Sequence, residues 1–251
     1  MSVVLCIDPG IFNLSIAIAS CDNTDDFTTY KIHLWDVYDT LEEDNHLCDG
    51  VTKKGQVCGK TPSFWYKNDD KYKKYTCKTH CPKEIQKFVY KKKVAKDYLL
   101  QEKALAVINK IQQLYDDNIE LFNSITLIAL ELQPTVNPSV KMLSHVIFGK
   151  FVDLYKDLPS VQIRFIPASR KLKVGYKGPE VICKLKSAYS RRKYLSVQYT
   201  KWYLENEFCN EQRDLWLPHL LSRKIQFDMS DALLMCINAL HGVPRKKITR
   251  L

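Results

Sequence analysis

Two apolar runs that each carry a carboxylate near their end dominate the hydrophobic pattern of the chain. The first covers residues 3–7 and reaches Asp8 before Pro9-Gly10 turns the chain, and the second covers residues 124–132 with Glu131 near its end. Uninterrupted runs of strand-forming residues are typical of buried central strands. We therefore predict two central strands with an acid at the C-terminal end of each, although Asp8 could also simply cap its turn.

The remaining periodicity predicts the elements around these two strands. Alternation predicts strands at 14–19, 28–38 and 161–166, and apolar spacing of three and four predicts helices at 82–117, 138–156, 187–207 and 228–240, with a looser stretch before the last helix. An antiparallel meander followed by alternating helices and strands predicts an α/β fold with parallel strands added to the meander.

Residues 42–82 interrupt this pattern because they are polar, rich in lysine and aromatic residues, and without clear periodicity. The sequence predicts a core domain formed by 1–41 and 83–251 that carries 42–82 as an inserted module. A chain of 251 residues with 45% hydrophobic content is long enough for such an arrangement.

Composition narrows the partners and the compartment. The 38 Lys and Arg residues exceed the 28 Asp and Glu residues, a formal net charge of +10, which favours a polyanionic partner. The apolar runs are shorter than the roughly 20 residues of a membrane helix, and the N-terminus lacks a signal-peptide pattern. We expect an intracellular protein with no membrane partner.

A second pair of acids opens the last predicted helix. Asp228 and Asp231 are three residues apart and share one face of its first turn, where Asp is also favoured by capping and the helix dipole. Together with Asp8 and Glu131 they form four acids that could converge on one point. Carboxylates at that density favour Mg²⁺ or Mn²⁺, and two such ions hydrolyse phosphodiesters.

The inserted module carries most of a possible metal site. Nine cysteines, an odd number, favour reduced thiols, and Cys48, Cys58, Cys77 and His80 give the spacing C-x9-C-x18-C-x2-H. Thiolates and imidazole bind structural zinc, which would supply folding energy that the few aliphatic residues of this region cannot. Cys81 is the alternative to His80, and a surface loop with incidental thiols is the alternative to zinc. The lysines and aromatic rings of the module would suit phosphates and unpaired bases, or only solvate and pack it.

The acidic motifs resemble those of a known family. Asp8-Pro9-Gly10 with Asn13, the segment ALELQ at 129–133, and Asp228-x-x-Asp231-Ala-Leu are similar to the RuvC-like Holliday junction resolvases of the RNase H-like superfamily, most of all to those of poxviruses and other large DNA viruses. The resemblance covers the chain outside 42–82. It implies an RNase H-like mixed five-stranded sheet flanked by helices, with the glutamate at the end of the fourth strand.

The resemblance also implies an activity. Asp8, Glu131, Asp228 and Asp231 would bind two Mg²⁺ (or Mn²⁺) ions in a homodimer that cuts opposed strands of four-way DNA junctions and leaves 5′-phosphate and 3′-hydroxyl ends. The family further implies an active-site lysine, for which Lys173 is our best match and Lys171 and Lys193 are rivals. A viral origin would place the protein in the host cytoplasm or nucleus.

Basic segments in the second half of the chain are the candidates for binding junction phosphates. They are Arg170, Lys171, Lys173, Arg191, Arg192 and Lys193. The apolar stripe of the helix at 138–156 predicts either a dimer face or plain core packing.

Three other functions are compatible with parts of the sequence. An actin-like ATPase also places Asp-x-Gly after its first strand, but it needs a second Gly-rich hairpin, and the chain has eight glycines with no Gly-Gly pair. A related nuclease acting on flaps or RNA–DNA hybrids would share the metal site. A non-catalytic DNA-binding protein would instead depend on the zinc module alone.

Overall fold

The computed structural model describes residues 2–41, 46–67, 72–91, 94–133 and 136–241. The chain divides into two compact units, one formed by Met1–Thr40 with Leu100–Leu251 and the other by Leu41–Leu99. The elements, in chain order, are β1 (Ser2–Asp8), β2 (Asn13–Cys21), β3 (Lys31–Asp39), β4 (Phe64–Lys67), β5 (Lys73–Thr76), β6 (Phe88–Val89), α1 (Leu100–Asp117), α2 (Ile119–Asn123), β7 (Leu127–Leu132), α3 (Pro138–Leu154), β8 (Gln162–Pro167), α4 (Ala188–Asn206), α5 (Asn210–Ser222) and α6 (Gln226–Leu240).

A five-stranded mixed sheet with the order β3-β2-β1-β7-β8 forms the centre of the first unit. Strand β1 pairs antiparallel with β2 and parallel with β7, and β7 pairs parallel with β8. The predicted RNase H-like arrangement, an antiparallel meander extended by parallel strands and flanked by helices, is confirmed.

Strand β1 is apolar on both sides because helices cover both faces of the sheet. Val3, Leu5 and Ile7 pack in one core with residues of α1, α2 and α3. Val4 and Cys6 point the other way, into a second core with residues of α4, α5 and α6. Alternation along the strand therefore assigns each side chain to one helical layer.

Most predicted elements of this unit are confirmed with ends shifted by up to three residues, but the helix predicted over 82–117 is wrong at its start. Phe88 and Val89 pair with β4 instead, and α1 begins only at Leu100. Its buried face includes Val107 and Ile111, whereas Leu105, part of the predicted stripe, is 58% exposed. Strand pairing with a distant segment overrides the local periodicity.

The looser stretch predicted before the last helix is also wrong, because it contains α5 with Pro218 in its interior. Side-chain contacts with β3 hold this helix against the edge of the sheet. The Gln212 side chain accepts a hydrogen bond from the Ile32 N–H at 2.7 Å, and the His219 ring contacts the Trp35 carbonyl at 3.1 Å.

The second unit contains a three-stranded sheet with the order β5-β4-β6 and a bridge between Val51 and Val57. It begins at Leu41 and extends to Leu99, so it includes the segment 42–82 and the residues that follow it. The division at 42 and 82 drawn from the sequence stays a prediction. In the described parts of the chain, every helix is too short or too polar to cross a membrane.

We predict that Phe151→Ala lowers the free energy of unfolding of the first unit by about 3–5 kcal/mol, because the fully buried ring leaves a cavity. Urea unfolding followed by far-UV circular dichroism measures the loss. The neighbouring Val152→Ala is the matched control, since Val152 is 45% exposed and its truncation should change stability by less than about 0.5 kcal/mol. Equal effects of the two substitutions would contradict this packing.

Candidate functional site

The parallel pairing of β1 and β7 brings Asp8 and Glu131 to the same edge of the sheet. The register pairs Ile7 with Leu130, so the two acids follow at the same level. Both lie on the side of the sheet that faces α6, since the residues two positions earlier pack in the core formed with that helix.

Helix α6 supplies the other two acids from its first two turns. Its apolar residues, among them Met229 and Leu233, are fully buried against the sheet. The Trp35 indole fixes the helix further by donating a hydrogen bond to the Met229 carbonyl at 2.8 Å. This packing directs Asp228 and Asp231 toward the strand ends.

Lys171 lies among these carboxylates, just after strand β8. Its Nζ is 2.5 Å from Asp231 Oδ2, 2.9 Å from Glu131 Oε2 and 3.3 Å from Asp8 Oδ2. The Lys171 side chain is only 10% exposed, so these charge-assisted bonds are shielded from water. Gln133 adds a longer contact, with its Nε2 3.5 Å from Asp8 Oδ1.

Two ammonium groups, Lys171 among three of the acids and Lys193 beside Asp228, leave the four carboxylates short of positive charge. Burial raises the pKa of Glu131 to about 9, and the neighbouring Asp8 carboxylate adds to the rise against the effect of Lys171. Burial also raises the pKa of Asp228 and Asp231. Burial alone would favour a neutral Lys171 amine, but the surrounding carboxylates outweigh it and raise the Lys171 pKa. Further cations would stabilise the ionised acids.

The four acids line one cavity of about 460 Å³ in the first unit. Its walls also carry basic and aromatic side chains, which suit an anionic ligand. The lining residues used below are Asp8, Glu131, Asp228, Asp231, Lys171, Arg192, Lys193 and Tyr189.

Lys193 reaches this cavity from α4. Its Nζ is 3.5 Å from Asp228 Oδ1 and lies over the rings of Phe227, at 3.4 Å, and Tyr189, at 4.8 Å. The sequence reasoning missed both aromatic partners. The spacing of four between Tyr189 and Lys193 on a predicted helix was the available signal.

The predicted cations differ in where they lie. Lys173, our best match for the active-site lysine, is exposed, and its carbonyl accepts a hydrogen bond from Asn238. Lys173, Arg170 and Arg191 are not among the residues that line the cavity. The structure brings Lys171, one of the two rivals, into contact with three of the acids.

The acidic cluster fits divalent cations by its donor chemistry. Its ligand atoms are carboxylate oxygens, which Mg²⁺ and Mn²⁺ prefer. An ammonium already lies within hydrogen-bonding distance of three of them, so the cluster accommodates positive charge at its centre.

A second cluster lies in the unit Leu41–Leu99, where Cys48, Cys58, Cys77 and His80 place one ligand atom each within 4.8 Å of one another. His80 Nδ1 is 3.5 Å from the sulfurs of both Cys48 and Cys77. Tetrahedral zinc with ordinary bond lengths separates sulfur and nitrogen ligands by about 3.5 Å. Cys81 instead directs its thiol to the Pro82 carbonyl at 3.6 Å.

A close glycine contact and a lowered thiol pKa are compatible with a metal at this cluster. Gly50 packs directly under His80, where a Cβ would lie 2.4 Å from the histidine Cβ. Burial works to raise the pKa of Cys77, but the backbone N–H groups of His80 and Thr79 outweigh it and lower this pKa to about 6. A thiolate, the form that binds metals, is therefore favoured at Cys77.

No family model matches the sequence of this chain. An uncharacterized protein of Acanthamoeba polyphaga mimivirus, L451, is 28% identical over 210 residues, which are 74% of this chain and 49% of the mimivirus protein. The chain therefore spans about half the length of this relative.

Three solved structures of Holliday junction resolvases are similar to the chain at low identity. The yeast mitochondrial resolvase Ydc2 is 18% identical, with a TM-score of 0.47 over 96% of this chain and 79% of Ydc2. The fowlpox virus resolvase in complex with junction DNA is 14% identical, with a TM-score of 0.43 over 95% and 98%. RuvC of T. thermophilus with its junction substrate is 9% identical, with a TM-score of 0.44 over 96% of each chain. These values are too low to assign the chain to a family.

We predict that Lys171→Met lowers the free energy of unfolding by about 3 kcal/mol in buffer without divalent cations, because it leaves buried carboxylates without their counter-charge. Added Mg²⁺ should restore more stability to this variant than to the wild type. Urea unfolding with and without Mg²⁺ measures both effects.

Lys173→Met is the matched control, since Lys173 is exposed two residues away, and its stability should stay within about 0.5 kcal/mol of the wild type. A Lys171→Met protein as stable as this control would show that Lys171 does not hold the acids together.

Proposed function

We propose that this protein is a metal-dependent, structure-selective DNA endonuclease of the RuvC-like type that resolves four-way junctions. The observation that carries the proposal is the convergence of Asp8, Glu131, Asp228 and Asp231 on one cavity around Lys171. Acids from two strand ends and one helix, far apart in the sequence, meet in one cavity. Hydrolysis of a phosphodiester by metal ions requires both oxygen ligands for the ions and positive charge beside the phosphate.

The four acids would hold two Mg²⁺ or Mn²⁺ ions. When bound, such ions activate a water molecule and stabilise the leaving oxygen of a phosphodiester. Because burial raises the pKa of Glu131, metal binding would have to favour the ionised form of that carboxyl group. Asp8, which is next to Glu131 in the sheet, and Asp231, which contacts Lys171, would supply further carboxylate ligands.

Cations around the cavity would bind the DNA backbone. We assign the active-site lysine to Lys171 rather than Lys173, because Lys171 contacts three of the acids. Lys193 and Arg192 line the same cavity and would hold the phosphates on either side of the cut. Arg170, Lys173 and Arg191 remain candidates for contacts with DNA outside the cavity.

Paired cuts on opposed strands require two active sites, so we propose a homodimer. Leu143, Ile147 and Phe151 of α3 are buried in the core of their own unit, so a dimer face on this helix would use its outer residues. Similarity to a mimivirus protein supports a viral origin, with action in the host cytoplasm or nucleus.

Junction cleavage tests this function directly. With Mg²⁺, the protein should make paired symmetric nicks in a synthetic four-way junction and leave matched duplex intact. Asp231→Asn should reduce the rate at least about 100-fold, because several kcal/mol of transition-state stabilisation depend on the metal site. The control Asp214→Asn removes an exposed carboxylate on α5 and should cut at the wild-type rate.

Other outcomes would redirect the proposal. Preferred cutting of flaps or RNA–DNA hybrids would retain the metal site and replace the substrate. Junction binding without cleavage in Mg²⁺ or Mn²⁺ would instead favour a DNA-binding protein.

We also propose that Cys48, Cys58, Cys77 and His80 bind one structural zinc ion. Metal analysis of the purified protein should give one zinc per chain, and Cys77→Ser should lose it with increased proteolysis of the unit Leu41–Leu99, because a metal stabilises a unit with few aliphatic residues. Cys81→Ser is the matched control and should retain zinc. Equal zinc content in both variants would exclude this ligand set.

A further inference from the structure

One surface of the unit Leu41–Leu99 carries aromatic rings and lysines in a regular row. Strand β4 lies between β5 and β6, and the register places Trp65 beside Phe88 of β6 and Lys67 beside Lys73 of β5. Paired residues in a sheet project to the same side, and Trp65 and Lys67 are two positions apart on one strand. Trp65, Lys67, Lys73, Tyr75 and Phe88 therefore share one side of this sheet, called here the Trp65 face.

The contacts on the Trp65 face form a continuous series across the three strands. The Trp65 and Phe88 rings stack with centroids 4.5 Å apart and an interplanar angle of 21°. From the opposite neighbouring strand, Lys73 Nζ lies 5.0 Å from the centre of the Trp65 ring. The series thus runs from a cation through an indole to a phenyl ring.

The outer end of this series is accessible. Phe88 is 44% exposed, and the side chains of Lys67 and Lys73 are exposed as well. The aromatic residues nearer the cysteine cluster are used differently, since Tyr75 stacks on His46 at 3.7 Å and meets Tyr90 edge to face. Because Phe88 is exposed, its ring offers a surface on which a flat ligand could stack.

Charge in this unit favours an anionic ligand. Residues 41–99 contain 14 lysines, no arginine and eight acidic residues, an excess of six positive charges. Lysines beside an open aromatic stack are the combination that binds single-stranded nucleic acid, because bases stack on rings while phosphates contact cations.

We propose that the Trp65 face binds unpaired nucleotides of DNA. A base stacks on the exposed side of Phe88, with Trp65 supporting that ring from behind, and the flanking phosphates contact Lys67 and Lys73. The choice of DNA as the bound strand rests on the proposed nuclease function. The stacking surface and its charge are independent of that function. An acidic peptide or an anionic membrane would match the charge but offer no flat ring to the stack.

Binding to two oligonucleotides separates stacking from charge. We would measure fluorescence anisotropy with labelled oligothymidylate of about 12 nucleotides and with an abasic strand of the same length, which keeps the phosphates but lacks bases. The zinc-loaded full chain would carry Asp231→Asn in every sample, so that no DNA is cut. Oligothymidylate should bind about tenfold tighter than the abasic strand, within the range for stacking of a single base.

Substitutions on the Trp65 face should remove base stacking and the attraction of lysines for phosphates separately. Phe88→Ala should abolish the preference for bases and leave binding of the abasic strand unchanged. The double variant Lys67→Gln/Lys73→Gln should weaken both strands and lower the slope of log K against log salt by about 1.4. Lys53→Gln/Lys54→Gln is the matched control, since it removes the same charge from an exposed turn of the unit.

Three outcomes would overturn the proposal: equal binding of the two strands by the parent protein, equal losses in the two double-lysine variants, or tighter binding to phosphatidylserine vesicles than to oligothymidylate. Zinc content verifies the fold of each variant. If Phe88→Ala loses zinc, two other results test the proposal. They are the base preference of the parent protein and the difference in binding between the two double-lysine variants. Because the assay involves no cleavage, its result is separate from whether the protein cuts junctions.

Discussion

Carboxylates that converge in a buried cavity repel one another, and the first unit depends on how this repulsion is balanced. Lys171 supplies one positive charge within hydrogen-bonding distance of Asp8, Glu131 and Asp231. Even with Lys193 beside Asp228, two positive charges do not balance four carboxylates, and burial together with the nearby Asp8 carboxylate raises the pKa of Glu131 to about 9. Under the proposed function, this shortage of positive charge would favour the binding of divalent cations.

Strand pairing and helix packing around the cluster hold these acids in place. Parallel pairing sets the level of Asp8 and Glu131, and strand alternation turns both toward one helical layer. Helix α6 is held against the sheet by its apolar residues and by the hydrogen bond from Trp35. Acids from three elements therefore meet at positions set by two strands and a helix rather than by loops.

The second unit differs from the first in how little apolar core it contains. Its described residues form one three-stranded sheet and bury few aliphatic side chains, and they include the cluster of Cys48, Cys58, Cys77 and His80. Aromatic rings that would be interior in a larger domain are here partly exposed, as Phe88 illustrates. With the proposed zinc ion bound, this unit could present such rings outward, because its stability would depend less on burying them.

The sequence by itself determined the mixed sheet, most of its elements and the four acids. Two of the acids end uninterrupted apolar runs and the other two open a predicted helix, and both are local patterns. It also determined the cysteine cluster, which follows from residue type and spacing. Only the tertiary structure decided that Phe88 and Val89 form a strand, that Pro218 lies within a helix, and that Lys171 rather than Lys173 meets the acids. These outcomes depend on partners distant in the chain: Lys171 is 163 residues from Asp8 and 60 from Asp231. A one-dimensional pattern carries no information on which of two nearby lysines will face such partners.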